Sequence, residues 1–156
     1  MNTNYYMDLA IEQAKKGFQI NEVPVGAVLV DDIKNNIIAS FHNEIIKQNN
    51  PIKHAEILVI EKACKLKNSR YLDNTSIFVT LEPCAMCASA ISDARINKLY
   101  FGAYDEKKGA IESAMNFFNN KNYFVPEIYG GMQEIECSLL LKSFFNLLRK
   151  KNGNKK

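Results

Sequence analysis

No stretch of about 18 apolar residues occurs anywhere in the sequence, which argues against a membrane-spanning helix. The first residues, MNTNYYMDLAIEQAKKG, contain no basic leader followed by an apolar run. Their apolar positions are spaced for a helix instead, so a cytoplasmic protein is the default expectation. No internal repeat and no linker interrupts the 156 residues, a length suited to one domain with a sizeable core. We expect that domain to occupy residues 1–150 and residues 151–156 to form a disordered basic tail. Cysteine is scarce, with only Cys64, Cys84, Cys87 and Cys137. Without an export signal disulfides are not expected, and the close pair Cys84 and Cys87 points to metal binding. Cys64 and Cys137 stand alone inside helical patterns and read as core thiols.

Neither sign of charge dominates. The net charge is +3, but Arg149, Lys150, Lys151, Lys155 and Lys156 put five positive charges in the last eight residues. Taking five from three leaves −2 on residues 1–148. Such an end either meets a phosphate backbone or solubilises the terminus. The abundant asparagines, among them Asn35-Asn36, Asn49-Asn50 and Asn119-Asn120, read as composition bias without chemistry.

The pattern of apolar positions predicts a helix over 4–17, stopped by Gly17, and a doubly buried strand over 25–30. A turn at Asp31-Asp32 and Asn35-Asn36 leads into a second strand, 37–41, completing a hairpin. A helix follows with Ala55, Leu58, Val59, Ala63 and Leu66 on its apolar face. A strand over 76–81 precedes a helix from Cys84 to about Ala94, with Pro83 suited to its first turn. Beyond a strand over 98–103 come a charged loop, Asp105–Gly109, and a short helix, 111–118. A fifth strand near 125–129 precedes a last helix over about 133–150, with Ile135, Leu139, Leu140, Phe144, Leu147 and Leu148 on one side. Two hairpin strands followed by alternating strands and helices imply an α/β fold of three layers, a mixed five-stranded sheet flanked by helices on both faces.

The chemistry lies in His54-Ala55-Glu56 and Pro83-Cys84-Ala85-Met86-Cys87. Cysteines at i and i+3 lie about 300° apart on a helix, so both side chains leave from one face. Two thiolates and a neutral imidazole make three zinc ligands, leaving the fourth position open, as a catalytic zinc requires. A structural four-ligand site would need His42, Cys64 or Cys137, none of which belongs to a paired motif. His54 and Glu56, two residues apart, point about 200° apart within a regular helix. Both reach one site only at the very start of the helix, a boundary that Pro51 fits. Zinc lowers the pKa of bound water from 15.7 to about 7. Glu56, beside the metal without ligating it, would move the water's proton to a ring nitrogen and then to a leaving amine, which is hydrolytic deamination. Together these motifs form the signature of the zinc-dependent nucleobase deaminases.

Across about residues 6–150 the sequence resembles the bacterial tRNA-specific adenosine deaminases, within the cytidine deaminase-like superfamily. The matching pieces are Glu22–Val28, His42-Asn43, His54–Glu56, Thr80–Cys87, Arg95-Ile96, Phe101–Ala103, Asp105, Lys108–Ala110, and Phe144-Phe145 before basic residues. The zinc motifs are shared with guanine and cytosine deaminases; the Phe-Gly-Ala-x-Asp segment and the Phe-Phe pair with its basic end favour the tRNA enzymes. The alternative is a deaminase of a free nucleobase or nucleoside. The resemblance implies one Zn²⁺ per subunit at His54, Cys84 and Cys87, with Glu56 as proton shuttle. It implies a homodimer and, as substrate, the anticodon stem-loop of an arginine tRNA with anticodon ACG, whose wobble adenosine becomes inosine. It further implies that Asn43 hydrogen-bonds the purine and Asp105 lies beside the RNA entrance. One of Phe144 and Phe145 would stack on a base, with Arg149 near the RNA. On the residues alone, Asn43 is equally a cap on the loop after a strand, Asp105 an ordinary turn residue, and the phenylalanines helix packing. Tyr104 stands where the family often carries a basic residue.

Overall fold

The computed structural model describes residues 1–154; Lys155 and Lys156 of the basic end lie outside the described residues. The elements in chain order are α1 (Thr3–Gln19), β1 (Gly26–Asp31), β2 (Asn36–His42), α2 (Ala55–Lys67), β3 (Thr75–Leu81), α3 (Ala85–Asp93), β4 (Lys98–Ala103), a 3₁₀ turn at Phe117–Asn119, β5 (Glu127–Tyr129) and α4 (Glu134–Gly153). The sheet order is β2-β1-β3-β4-β5. β1 runs antiparallel to β2 and β3, whereas β3, β4 and β5 are mutually parallel. Among the described residues, no helix is long and apolar enough to cross a membrane.

Side-chain alternation divides the core in two, because successive strand residues face opposite sides of a sheet. Ala27, Leu29, Ile77, Val79, Leu99 and Phe101 face α2 and α3. Val28, Val30 and Phe78 face α1 and α4. β1 is buried along its whole length. The expected three-layer arrangement with a mixed five-stranded sheet is therefore what forms. At Gly26 a Cβ would sit 1.9 Å from the Ala10 carbonyl oxygen, so only glycine lets α1 approach the sheet this closely.

The boundaries differ from expectation in instructive places. Gly17 does not stop α1; it packs against the His42 side chain while the helix continues to Gln19. The expected helix over 111–118 is a series of turns, leaving the short 3₁₀ turn. The amides of Ile111, Glu112 and Ser113 all converge on one Glu82 oxygen, which curls the chain, and Ala114 and Met115 donate back to the Gly109 carbonyl. On α4 the buried residues are Cys137 and Phe144, with Leu140, Leu141 and Leu148 half-buried beside them; of the expected side, Ile135, Leu139 and Leu147 are exposed. Cys137 wedges against Gly102, where any side chain on β4 would collide with its sulfur, and that contact sets the rotation of the helix. α4 also continues through Lys151–Gly153, into the segment read as tail.

The asparagines have structural work after all. Asn21, Asn35, Asn49, Asn68 and Asn74 adopt positive φ, and Asn68 closes α2 in the left-handed conformation. Asparagine tolerates this region better than any other residue with a side chain.

Candidate active site

The pairing directions bring the start of β1 and the ends of β2, β3 and β4 to one end of the sheet. Ligands in open α/β sheets bind outside the carboxyl ends of the strands, and the chemistry-bearing residues gather here. His54 is the N-cap of α2, with extended backbone at φ −70° and ψ 151°. Cys84 is the N-cap of α3, equally extended at φ −74° and ψ 173°. Pro83 therefore precedes the cap and does not occupy the first helical turn. The boundary positions resolve the angular problem of His54 and Glu56: His54 leaves from non-helical backbone, and Glu56 from the first turn of α2.

His54 Nδ1 lies 3.7 Å from Cys84 Sγ and 3.5 Å from Cys87 Sγ, and the three donor atoms all fall within 4.8 Å of one another. With Zn–S near 2.3 Å and Zn–N near 2.0–2.1 Å, a tetrahedral ion requires N···S edges of about 3.6 Å. The donors fit a tetrahedral zinc. Cys87 is buried, and no other such cluster occurs among the described residues. Cys137 is buried as expected for a core thiol, and Cys64 is half-buried on α2.

Glu56 is the anomaly of the site. It is 4% exposed, and its Oε2 has no hydrogen-bond partner among the described residues. A buried carboxylate oxygen left unpaired is costly and marks a functional group. Burial pushes the carboxyl up to about 7, against the opposing pull of the neighbouring His54. The donors share protons unequally. Cys84 is held down to about 4, foremost by accepting a hydrogen bond from the Cys87 thiol, and then from His54. Cys87 is pushed up by that same bond and by burial. His54 is raised by its bond to Cys84. A metal entering this set must therefore displace protons, above all that of Cys87.

The remaining expected residues divide. Asn43 is buried at the site, and its Oδ1 accepts the Ala55 amide at 2.9 Å, pinning the first turn of α2. Asp105 is half-buried, with its Oδ1 accepting the Lys107 and Lys108 amides at 3.0 and 3.1 Å in a tight turn. Phe144 is 4% exposed and packs edge-on against Phe18 of α1, so it is a core residue and not a surface on which a base can stack. Phe145 is 44% exposed. Arg149 is exposed and donates to Asn146 Oδ1 at 2.7 Å.

Two acids without an assigned role in the sequence emerge as organisers. Glu22 is buried, and its Oε1 accepts the Ile46 and Lys47 amides at 2.7 and 2.8 Å, holding the segment that leads to His54. Glu82 is buried two residues before Cys84 and holds the loop after β4. Each precedes a proline by one or two residues beside a buried strand, Glu22-Val23-Pro24 and Glu82-Pro83. An acid so placed is a signal that sequence reading can use.

Fold and donor set together define a zinc-dependent deaminase: the model of the cytidine and deoxycytidylate deaminase zinc-binding region matches residues 1–103. A tRNA-specific adenosine deaminase of Rickettsia felis is 48% identical over 144 residues, spanning 92% of this chain and 100% of the relative. The chain belongs to the tRNA-specific adenosine deaminase family. A structure solved in work on A-to-I editing by tRNA:A34 deaminases at the wobble position of transfer RNA superposes with a TM-score of 0.84. It is 43% identical and covers 88% of this chain and 99% of its own. A guanine deaminase from Nitrosomonas europaea shares the fold, with a TM-score of 0.80 over 91% of this chain and 84% of that one, at 17% identity.

Proposed function

We propose that the protein hydrolyses the wobble adenosine of tRNA, in the ACG anticodon of an arginine tRNA, to inosine. The observation that carries the chemistry is the tetrahedral spacing of His54, Cys84 and Cys87 beside the unpartnered Oε2 of Glu56. His54, Cys84 and Cys87 would hold a zinc ion, which would supply a water acidic enough to act as hydroxide near neutral pH. Glu56 Oε2 takes the proton of the attacking water and delivers it to N1 of the purine as oxygen bonds to C6. It then carries the second proton to the exocyclic nitrogen, which departs as ammonia and leaves the C6 carbonyl of inosine. A carboxyl raised to about 7 is suited to both accepting and returning a proton at neutral pH. Asn43, with its oxygen committed to Ala55, would offer its NH₂ group to the purine. Phe145 is the member of its pair free to stack on an unpaired base.

Relatives that share 43–48% identity and act on tRNA support the RNA substrate. The proposal includes a homodimer, a cytoplasmic site of action and binding through the anticodon stem-loop. The decisive experiment incubates the zinc-loaded protein with an ACG anticodon stem-loop and reads adenosine-to-guanosine changes after reverse transcription. Free guanine and cytidine are run in parallel. Conversion of the stem-loop alone is expected; turnover of a free base with an untouched stem-loop would replace this assignment. Sedimentation at micromolar concentration should give twice the monomer mass.

A further inference from the structure

We propose that Glu82 is a positioning residue for the RNA-facing rim of the site, holding Lys107 and Lys108 in place through the backbone of Asp105. The proposal rests on the tRNA reading above and identifies what sets the geometry of the loop that follows β4. Glu82 leaves the end of β3, 2% exposed, and both of its oxygens are engaged by the segment 105–113. Oε1 accepts the amides of Ile111, Glu112 and Ser113 at 3.1, 2.8 and 3.0 Å. Oε2 accepts the Asp105 amide at 3.0 Å and the Ser113 hydroxyl.

The connection continues outward. Asp105, fixed by its amide, accepts the amides of Lys107 and Lys108 on its own Oδ1. Both lysines are exposed. The Ala110 amide also donates to the Pro83 carbonyl at 2.8 Å, so the loop is seated directly against the turn carrying Cys84. Exposed cations on a loop seated against that turn are the chemistry that meets a phosphate backbone. A loop without helix or strand would otherwise leave them free to wander, and the buried carboxylate replaces the missing secondary structure. Gly109 completes the seat: a Cβ there would lie 2.4 Å from both Cδ and Oε2 of Glu82.

The test measures steady-state kinetics on the ACG stem-loop for Glu82→Gln and Gly109→Ala, which disturb the same seat from opposite sides, and for the double variant. Zinc content is measured in every sample. We expect KM to rise roughly tenfold in each single variant while kcat per bound zinc stays within about threefold. The double variant should be no worse than the worse single one, because both act on one contact. The slope of log affinity against log salt should fall by roughly 0.7–0.9 for each lysine displaced from a phosphate. A merely structural role would lower thermal stability while leaving KM and the salt slope of the remaining folded protein unchanged, and that result overturns the proposal. Additive effects of the two substitutions overturn it equally. If wild-type protein fails to convert the stem-loop, the functional assignment is what falls; if only the variants behave like wild type, it is the role of Glu82.

Discussion

The first 103 residues and the fifty that follow are built on different terms. Up to Ala103 the chain forms long, regular elements, and its reactive groups sit at helix N-caps or in first turns, where spacing along the sequence dictates spacing in space. The same stretch is what the deaminase zinc-binding model matches. From Tyr104 onward the chain is mostly turns, one three-residue strand and a half-exposed helix. Its conformation depends on distant partners: Glu82 for the 105–113 loop, and Gly102 and Phe18 for the rotation of α4. The contrast teaches that reaction chemistry is encoded locally and early in this fold, whereas the surface around it is encoded by long-range contacts, which suits a part that must differ between substrates.

Substitutions can break or sharpen that division. The largest effect is expected for Cys87→Ala, which removes one of three donors; metal analysis should show zinc lost and deamination of the stem-loop abolished. Next, Glu56→Ala should retain zinc and bind the stem-loop, yet lower the single-turnover rate by ~10²–10⁴. A near wild-type rate would remove Glu56 from the proton path. In the later half, Phe144→Ala should cost about 3–5 kcal/mol of stability by opening a cavity between α1 and α4. Phe145→Ala should leave denaturant midpoints nearly unchanged and weaken only RNA binding, and equal losses from both would contradict the packing seen here.

Acid provides a smaller and more graded test. Burial pushes the Glu82 carboxyl up, but the Glu112 amide, the Ser113 hydroxyl and the Asp105 and Ser113 amides more than offset it, leaving the group below its ordinary value of 4.5. A group depressed in the folded state stabilises fully above its unfolded pKa, and that contribution drains away as pH falls through the folded value. Melting temperatures of wild type and Glu82→Gln should therefore differ by a constant amount above about pH 4.5 and draw together as the pH falls below it. The smallest effect is expected from truncation after Arg149, which should weaken stem-loop binding a few-fold and reduce its salt dependence; unchanged affinity would assign the basic end to solubility alone.

The sequence made the metal donors and the layered sheet legible because each follows from a short repeat of positions: two for strands, three for the cysteine pair, and a proline near each helix start. It misled where a distant partner decides. The apolar residues Ile135 and Leu139 suggested the buried side of α4, but the small gap above Gly102 admits Cys137 and turns the helix instead. The 111–118 segment has helical composition, yet three of its amides belong to Glu82. Apart from the turn at Asn35-Asn36, the asparagines looked like background, yet Asn21, Asn49, Asn68 and Asn74 adopt positive φ. Asn43 and Asp105 were readable as functional or as local caps, and both do cap backbone amides.

Both sulfurs and the imidazole come from segments that the sheet already holds: α2 is anchored through Val59 and Ala63, α3 through Ala88 and Ile91. The ion thus rivets two posts that stand without it, in contrast to small zinc modules that exist as folded bodies only when loaded. Chelation should silence such an enzyme without dissolving it, and returning the metal should restore turnover with no refolding step.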